Sequence, residues 1–111
     1  MDWISLSSNE QLQDIKTASF EKPQVILKHS TRCSISSVVF NRLRKEADHD
    51  VINFYVLDLL KNRTVSDTIA QVFDVNHESP QVLLIENGEC IYHESHYGIN
   101  MDEIFEKSSF L

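Results

Sequence analysis

The chain has 111 residues, 41% hydrophobic and 24% charged, with a formal net charge of −7. A chain this size can fold as one domain around an apolar core without disulfides or metal. The acidic balance and the lack of any Lys/Arg run argue against nucleic acid or an anionic membrane surface as partners.

The opening "MDWISLSSNE" has no basic residue and no apolar run, unlike a secretory leader. No apolar stretch approaches the ~20 residues that span a bilayer. A reducing cytoplasm is therefore expected, and in that setting the two cysteines read as free thiols.

Ser7 and Glu10 stand at capping-box spacing ahead of Leu12 and Ile15, which predicts a first helix over 7–19. After Pro23, "QVILKH" reads as a strand over 24–29. Ile35, Val39, Leu43 and Ala47 fall four apart, with Val38 and Phe40 widening the stripe of a second helix. "VINFYVLDL", apolar towards both faces, is a strand covered by helices on each side. Asn62 can cap a third helix with Val65, Ile69, Val72 and Phe73 on its inner face. "PQVLLIENGECIYHE" is two strands around Asn87-Gly88, a strong hairpin signal. Asn100 and Glu103 then open a last helix with Met101, Ile104 and Phe105 as its apolar face. The order α-β-α-β-α-β-β-α predicts a four-stranded mixed sheet with helices on both faces.

In this arrangement Cys33, within "KHSTRCSISS", falls where a strand stops and a helix starts. The first helical turn has N–H groups without intrahelical partners, and the helix dipole favours negative charge there. Both favour a thiolate, the nucleophile of thiol–disulfide exchange. Arg32, and Lys28 or His29 at the strand end, would add positive potential. The alternative is a small residue buried between helix and sheet, but Ser30, Thr31, Arg32, Ser34 and Ser36 around it are polar. Pro80 directly precedes a strand, a place proline tolerates, and the bond before it can be cis or trans.

"FDVNHESPQVLLIENGEC" resembles the second half of thioredoxin-fold proteins: a helix ending in an aromatic, a loop, a cis-proline, an apolar strand, an Asn-Gly turn and an edge strand. Gly88 and Gly98, the chain's two glycines, fall at turns where that fold uses glycine. "KHSTRCSIS" is similar to the active-site stretch of the monothiol bacilliredoxin family, also called YtxJ or bacillithiol system thioredoxin-like proteins. Their typical motif is Thr-Arg-Cys-Pro-Ile-Ser. Thr31, Arg32, Cys33, Ile35 and Ser36 match it, while Ser34 replaces the proline that stiffens the first helical turn.

The resemblance implies one thioredoxin-like domain over 1–111, with the first helix as an N-terminal addition. It implies a monothiol oxidoreductase that removes bacillithiol, or a similar low-molecular-weight thiol, from protein mixed disulfides. Cys33 would be the nucleophile and Ser36 a hydrogen-bond donor to its sulfur. Thr31, Arg32, Ser34, Ser79 and Pro80 would contact substrate, Ser79 through its backbone. Bacillithiol would be a co-substrate, with no bound cofactor and no metal. S-thiolated proteins and a low-molecular-weight thiol are the expected partners, and a monomer is expected. Two other readings stay open. One is a glutaredoxin-like iron–sulfur carrier, although those proteins have Cys-Gly-Phe-Ser where Ser34 and Ile35 stand here. The other is a redox-inactive binding module.

The remaining candidates have plainer readings. Cys90, just past the Asn-Gly turn, is read as structural. Cys90, His93 and His96 make a loose metal set, but strand positions three apart point to opposite faces. Asp58 reads as a strand-end acid and Trp3 as an anchor for the N-terminal segment.

Overall fold

Strand β2 (Gln24–His29) lies at the centre of a five-stranded sheet, because its side chains are apolar towards both faces. The computed structural model describes residues 3–111, so Met1 and the acidic Asp2 of the opening stretch lie outside the described residues. The other strands are β1 (Ile4–Ser5), β3 (Asn53–Asp58), β4 (Gln81–Glu86) and β5 (Glu89–Ser95). Their order across the sheet is β1-β3-β2-β4-β5. β1 and β2 run parallel to β3, β4 runs antiparallel to β2, and β5 antiparallel to β4.

The helices are α1 (Asn9–Ala18), α2 (Ser34–Glu46), α3 (Arg63–Phe73) and α4 (Met101–Lys107). Alternation along the strands sorts them into two layers. Ile26, Tyr55, Leu57, Leu83 and Ile85 face α1 and α3, packing on Leu12, Ile15, Val65 and Ile69. Val25, Leu27, Phe54, Val82 and Leu84 face α2 and α4, packing on Val39, Leu43, Met101 and Ile104. Burying one such side chain fully contributes ~1.5–3 kcal/mol, so the paired cores hold both layers on the sheet. Among the described residues, no helix is long and apolar enough to cross a membrane.

Four expectations need correction. The sheet has a fifth strand, β1, where four were predicted. Its two residues are both exposed and too few for any alternation to be visible. It is held by the flanking residues: Leu6 is fully buried and its N–H donates to Val56 O at 2.9 Å. Secondly, the cap of α1 is Ser8 with Gln11, not Ser7 with Glu10; Gln11 Oε1 accepts from the Ser8 N–H at 3.1 Å. Thirdly, Val38 and Val72 are 52% and 44% exposed rather than on inner stripes. Ser36 and Ser66 occupy buried positions on those helices instead. Fourthly, Asn62 sits at the N-cap of α3, but its side chain donates back to Asp58 O at 3.3 Å instead of capping.

The β4–β5 hairpin turns on Asn87 (φ 54°) and Gly88 (φ 80°), the left-handed pair a two-residue turn of this kind requires. At the far end of β5 the left-handed residue is His96 (φ 59°), not Gly98. Gly98 is instead crowded, since a Cβ there would come within 2.9 Å of the Glu94 carboxyl carbon.

Candidate functional site

Two segments meet at the C-terminal end of β2. The loop Ser30–Cys33 leaves β2 for α2. The register Lys28↔Gln81 sets the start of β4, and with it Ser79 and Pro80, beside that same end. The Ser79–Pro80 peptide bond is cis. Thr31, Arg32, Cys33, Ser34 and Ser36 therefore share one turn, and Ser79–Pro80 borders it from the neighbouring strand.

Cys33 is the N-cap residue of α2, half-buried and in extended conformation (φ −105°, ψ 119°). Its N–H donates to Ser30 O at 3.1 Å, and its own carbonyl accepts from Ser37 N–H at 3.1 Å. Its side chain makes no capping hydrogen bond. The thiol is thus placed at the end of the helix where backbone donors are unmatched. Thr31, Arg32 and Ser34 are exposed around it.

Ser36 has a different job from the one expected. It is fully buried. Its Oγ accepts the Ser30 N–H at 3.0 Å and lies 2.6 Å from His29 Nδ1. No hydrogen bond joins it to the Cys33 sulfur. One hydroxyl therefore ties the end of β2, the loop and the first turn of α2 together. Burial lowers the His29 pKa, with Asp58 pulling the other way, so a neutral imidazole at Nδ1 suits a hydroxyl partner. The His29 ring lies 5.1 Å from that of Phe40.

Lys28 does not reach towards α2. Strand alternation sends it to the opposite face, where it is fully buried. Its Nζ donates to Ser66 O at 3.2 Å and lies 3.2 Å from His77 Nδ1. Burial pulls the ammonium down to about 8, with Asp67 opposing. His77 is also lowered, by burial first and by Lys28 second. The buried Gln81 adds a bond from Nε2 to Asn76 O at 2.9 Å. Together these groups fix the loop that leads to Pro80. From sequence Lys28 is expected only as a source of positive potential, and Ser66, His77 and Gln81 are functional neighbours that sequence reasoning misses. The available signal was a lysine at period two from Ile26 in a wholly buried strand. The buried Ser79 Oγ and Gln81 Oε1 have no hydrogen-bond partner among the described residues.

The remaining candidates lie apart. Cys90 pairs with Ile85, which pairs with Gln24 at the start of β2, the end opposite Cys33. Its thiol donates to Tyr92 O at 3.3 Å, and burial pushes its pKa up to about 11. Cys90, His93 and His96 do not converge; among the described residues no three His, Cys, Asp or Glu side chains form a metal-binding group. Asp58 accepts from Leu60 N–H at 3.1 Å and shapes the turn after β3. Trp3 packs between Phe40 and Phe54, with ring centroids 5.3 and 4.8 Å away.

A mixed sheet with two helical layers and one cysteine at a helix start beside a cis-proline is the architecture of a single-thiol member of the thioredoxin fold. Residues 4–104 match the family model of the monothiol bacilliredoxin BrxC, and the chain belongs to that family. A solved protein described as a candidate oxidoreductase with a thioredoxin fold is 32% identical, with a TM-score of 0.82 over 94% of this chain and 91% of its own. The thioredoxins of Malassezia sympodialis and Fasciola hepatica share the fold at 18% and 15% identity, with TM-scores of 0.71 and 0.72. They cover 86% and 93% of this chain and are matched over 79% and 93% of their own.

Proposed function

We propose that this protein removes bacillithiol, or a thiol of similar size, from mixed disulfides on proteins, using Cys33 alone. The carrying observation is the placement of Cys33 at the N-cap of α2, with a hydrogen-bonded serine at the position where a second redox cysteine would stand.

The Cys33 thiolate attacks the bacillithiol sulfur of the client's mixed disulfide. The client S–S bond breaks, a Cys33–bacillithiol disulfide forms, and the client leaves as a thiolate that takes up a proton. A second thiolate then attacks the Cys33–bacillithiol disulfide, restoring Cys33 and carrying bacillithiol away. Ser36 forms no disulfide and Cys90 lies at the other end of the sheet, so the second thiol comes from outside, as free bacillithiol or a partner redoxin. The cycle needs a pool of reduced thiol, which a cytoplasm supplies, and a monomer suffices for it.

Ser36 serves as a positioning residue that holds the loop beneath Cys33. Thr31, Arg32 and Ser34 border the approach to the sulfur, and Ser79 offers its backbone beside Pro80 for pairing with the client strand. The test is release of a client protein blocked with bacillithiol against the same client blocked with glutathione. Faster release of bacillithiol by the reduced protein supports the reading; equal release identifies a general deglutathionylating activity, and no release of either overturns the reading.

A further inference from the structure

Between α2 and the β1–β3 edge of the sheet lies an open groove of about 850 Å³. Trp3 and Phe40 line it, with Asn41, Arg44, Lys45 and His49 around them. The aromatic part is well supported. Trp3 rests on Phe40 and Phe54, and the His49 ring lies 5.1 Å from Phe54. The Arg44 guanidinium stands 5.3 Å over the Phe40 ring.

Three features set this groove apart. The chain carries a net charge of −7, yet the groove gathers Arg44 and Lys45, both exposed. Among the described residues neither has an ion-pair partner; Glu46 at the end of α2, and Asp48 and Asp50 after it, are not in the lining. The Trp3 Nε1–H is buried and has no acceptor among the described residues, and a buried donor without a partner is costly to leave so. Phe40 also connects the groove lining to the site by packing, since its ring lies 5.1 Å from that of His29, which bonds Ser36 in the first turn of α2.

We propose that this groove is an accessory docking site for an acidic segment of the client protein. The proposal rests on the thiol-exchange reading for the meaning of "client". The cations attract carboxylates, and the Trp3–Phe40 surface takes an apolar side chain between them. The open side, next to the short edge strand β1, suits an extended chain better than an enclosed small molecule. Along α2, Phe40 stands about 10 Å and Arg44 about 16 Å from Cys33 by helical rise. An extended segment covers that in roughly three to five residues, so the acidic residues should lie that far from the thiolated cysteine.

Trp3 is the chain's one tryptophan, and its emission reports on the groove directly. Two peptides serve as probes, each with serine in place of the reactive cysteine. One carries Glu-Phe-Glu four positions away and the other Gln-Phe-Gln. The acidic peptide should shift Trp3 emission and bind at least about tenfold tighter than the neutral one, with the difference shrinking as salt rises. Arg44→Glu with Lys45→Glu should abolish that preference, and the milder Arg44→Gln with Lys45→Gln should reduce it. Lys16→Glu, on the other helical layer, should not. In turnover, the double charge reversal should raise KM for the acidic cysteine peptide blocked as a mixed disulfide, and leave a small symmetrical disulfide unaffected. Equal binding of the two peptides, an intact preference in the folded double variants, or tighter binding of free succinate than of the acidic peptide each overturns the docking site. Absence of turnover with every mixed disulfide, alongside intact peptide binding, would instead overturn the thiol-exchange reading.

Discussion

The two cysteines occupy opposite ends of one sheet, and their surroundings differ in kind. Cys33 sits at a helix start, half-buried, among exposed polar residues and beside a polar network of His29, Ser36 and Ser30. Cys90 sits on a strand beside the hairpin turn, packed on the apolar cluster of α1 and α3 and bonded to a backbone carbonyl. The same side chain thus stands at a helix start among exposed polar residues at one end and is packed against an apolar cluster at the other. Element boundaries and burial, rather than cysteine count, are what set a thiol's reactivity.

The strongest way to break the contrast is substitution. Cys33→Ala should abolish release of a blocked client, and Cys90→Ala should leave it within about twofold, as a loss confined to packing would. Undiminished turnover by Cys33→Ala would sink the assignment. A next test is selective labelling. Iodoacetamide at neutral pH should modify Cys33 in the folded protein and spare Cys90 until denaturant is added, as read by peptide mass spectrometry. An intramolecular Cys33–Cys90 bridge in mildly oxidised protein would erase the distinction between the two ends.

Stability against pH sharpens the comparison, because the two ends titrate with opposite sign. Lys28, with its folded pKa lowered to about 8, sheds its proton before the unfolded chain does. The native state therefore gains stability as pH rises from about 8 towards 10.5, on the order of 3 kcal/mol. Cys90, raised from 9.0 to about 11, acts the other way: its contribution is complete below 9 and is lost as pH rises to about 11. Denaturant unfolding at pH 7.5 and 9.5 should show Lys28→Met losing the alkaline gain. Cys90→Ala should show a larger gain than the parent. Parallel pH curves for all three proteins would contradict both environments. Ser36→Ala should have a smaller effect, slowing turnover by several-fold while Cys33 remains reactive, since it frees Ser30 N–H and His29 from their shared anchor. Val38→Lys and Val72→Lys, both at exposed sites, should change stability by less than about 0.5 kcal/mol.

Much of this was legible from residue patterns. The runs "QVILKH" and "VINFYVLDL" declared themselves as doubly covered strands, and Asn87-Gly88 declared the hairpin, because periodicity and turn chemistry are local. Cys33 at a strand-to-helix junction followed from the same local signals, and the Thr-Arg-Cys motif supplied the family. What escaped depends on tertiary contact. β1 is too short to carry a pattern and exists because Leu6 and Trp3 find partners far along the chain. Ser36, three positions after a cysteine, invites a bond to sulfur, yet burial directs it to His29 and Ser30. The attachment of Lys28 to Ser66 and His77 links residues some 40 to 50 positions apart, which no window of sequence displays.

Lys28 and His29 are neighbours on β2, yet one belongs to the α3 layer and the other to the α2 layer. That dipeptide therefore acts as a key for strand register. A slip of β2 by one residue in one direction would set the Lys28 ammonium against Ser36 and Leu27 against the Ser66 carbonyl, and in the other direction His29 against that carbonyl and Ser30 against Ser36, so either slip mismatches both faces. Apolar residues along β2 could exchange faces at modest cost, since Val, Ile and Leu are similar in bulk. The two polar residues cannot, so the strand is indexed at the end where the cysteine loop begins.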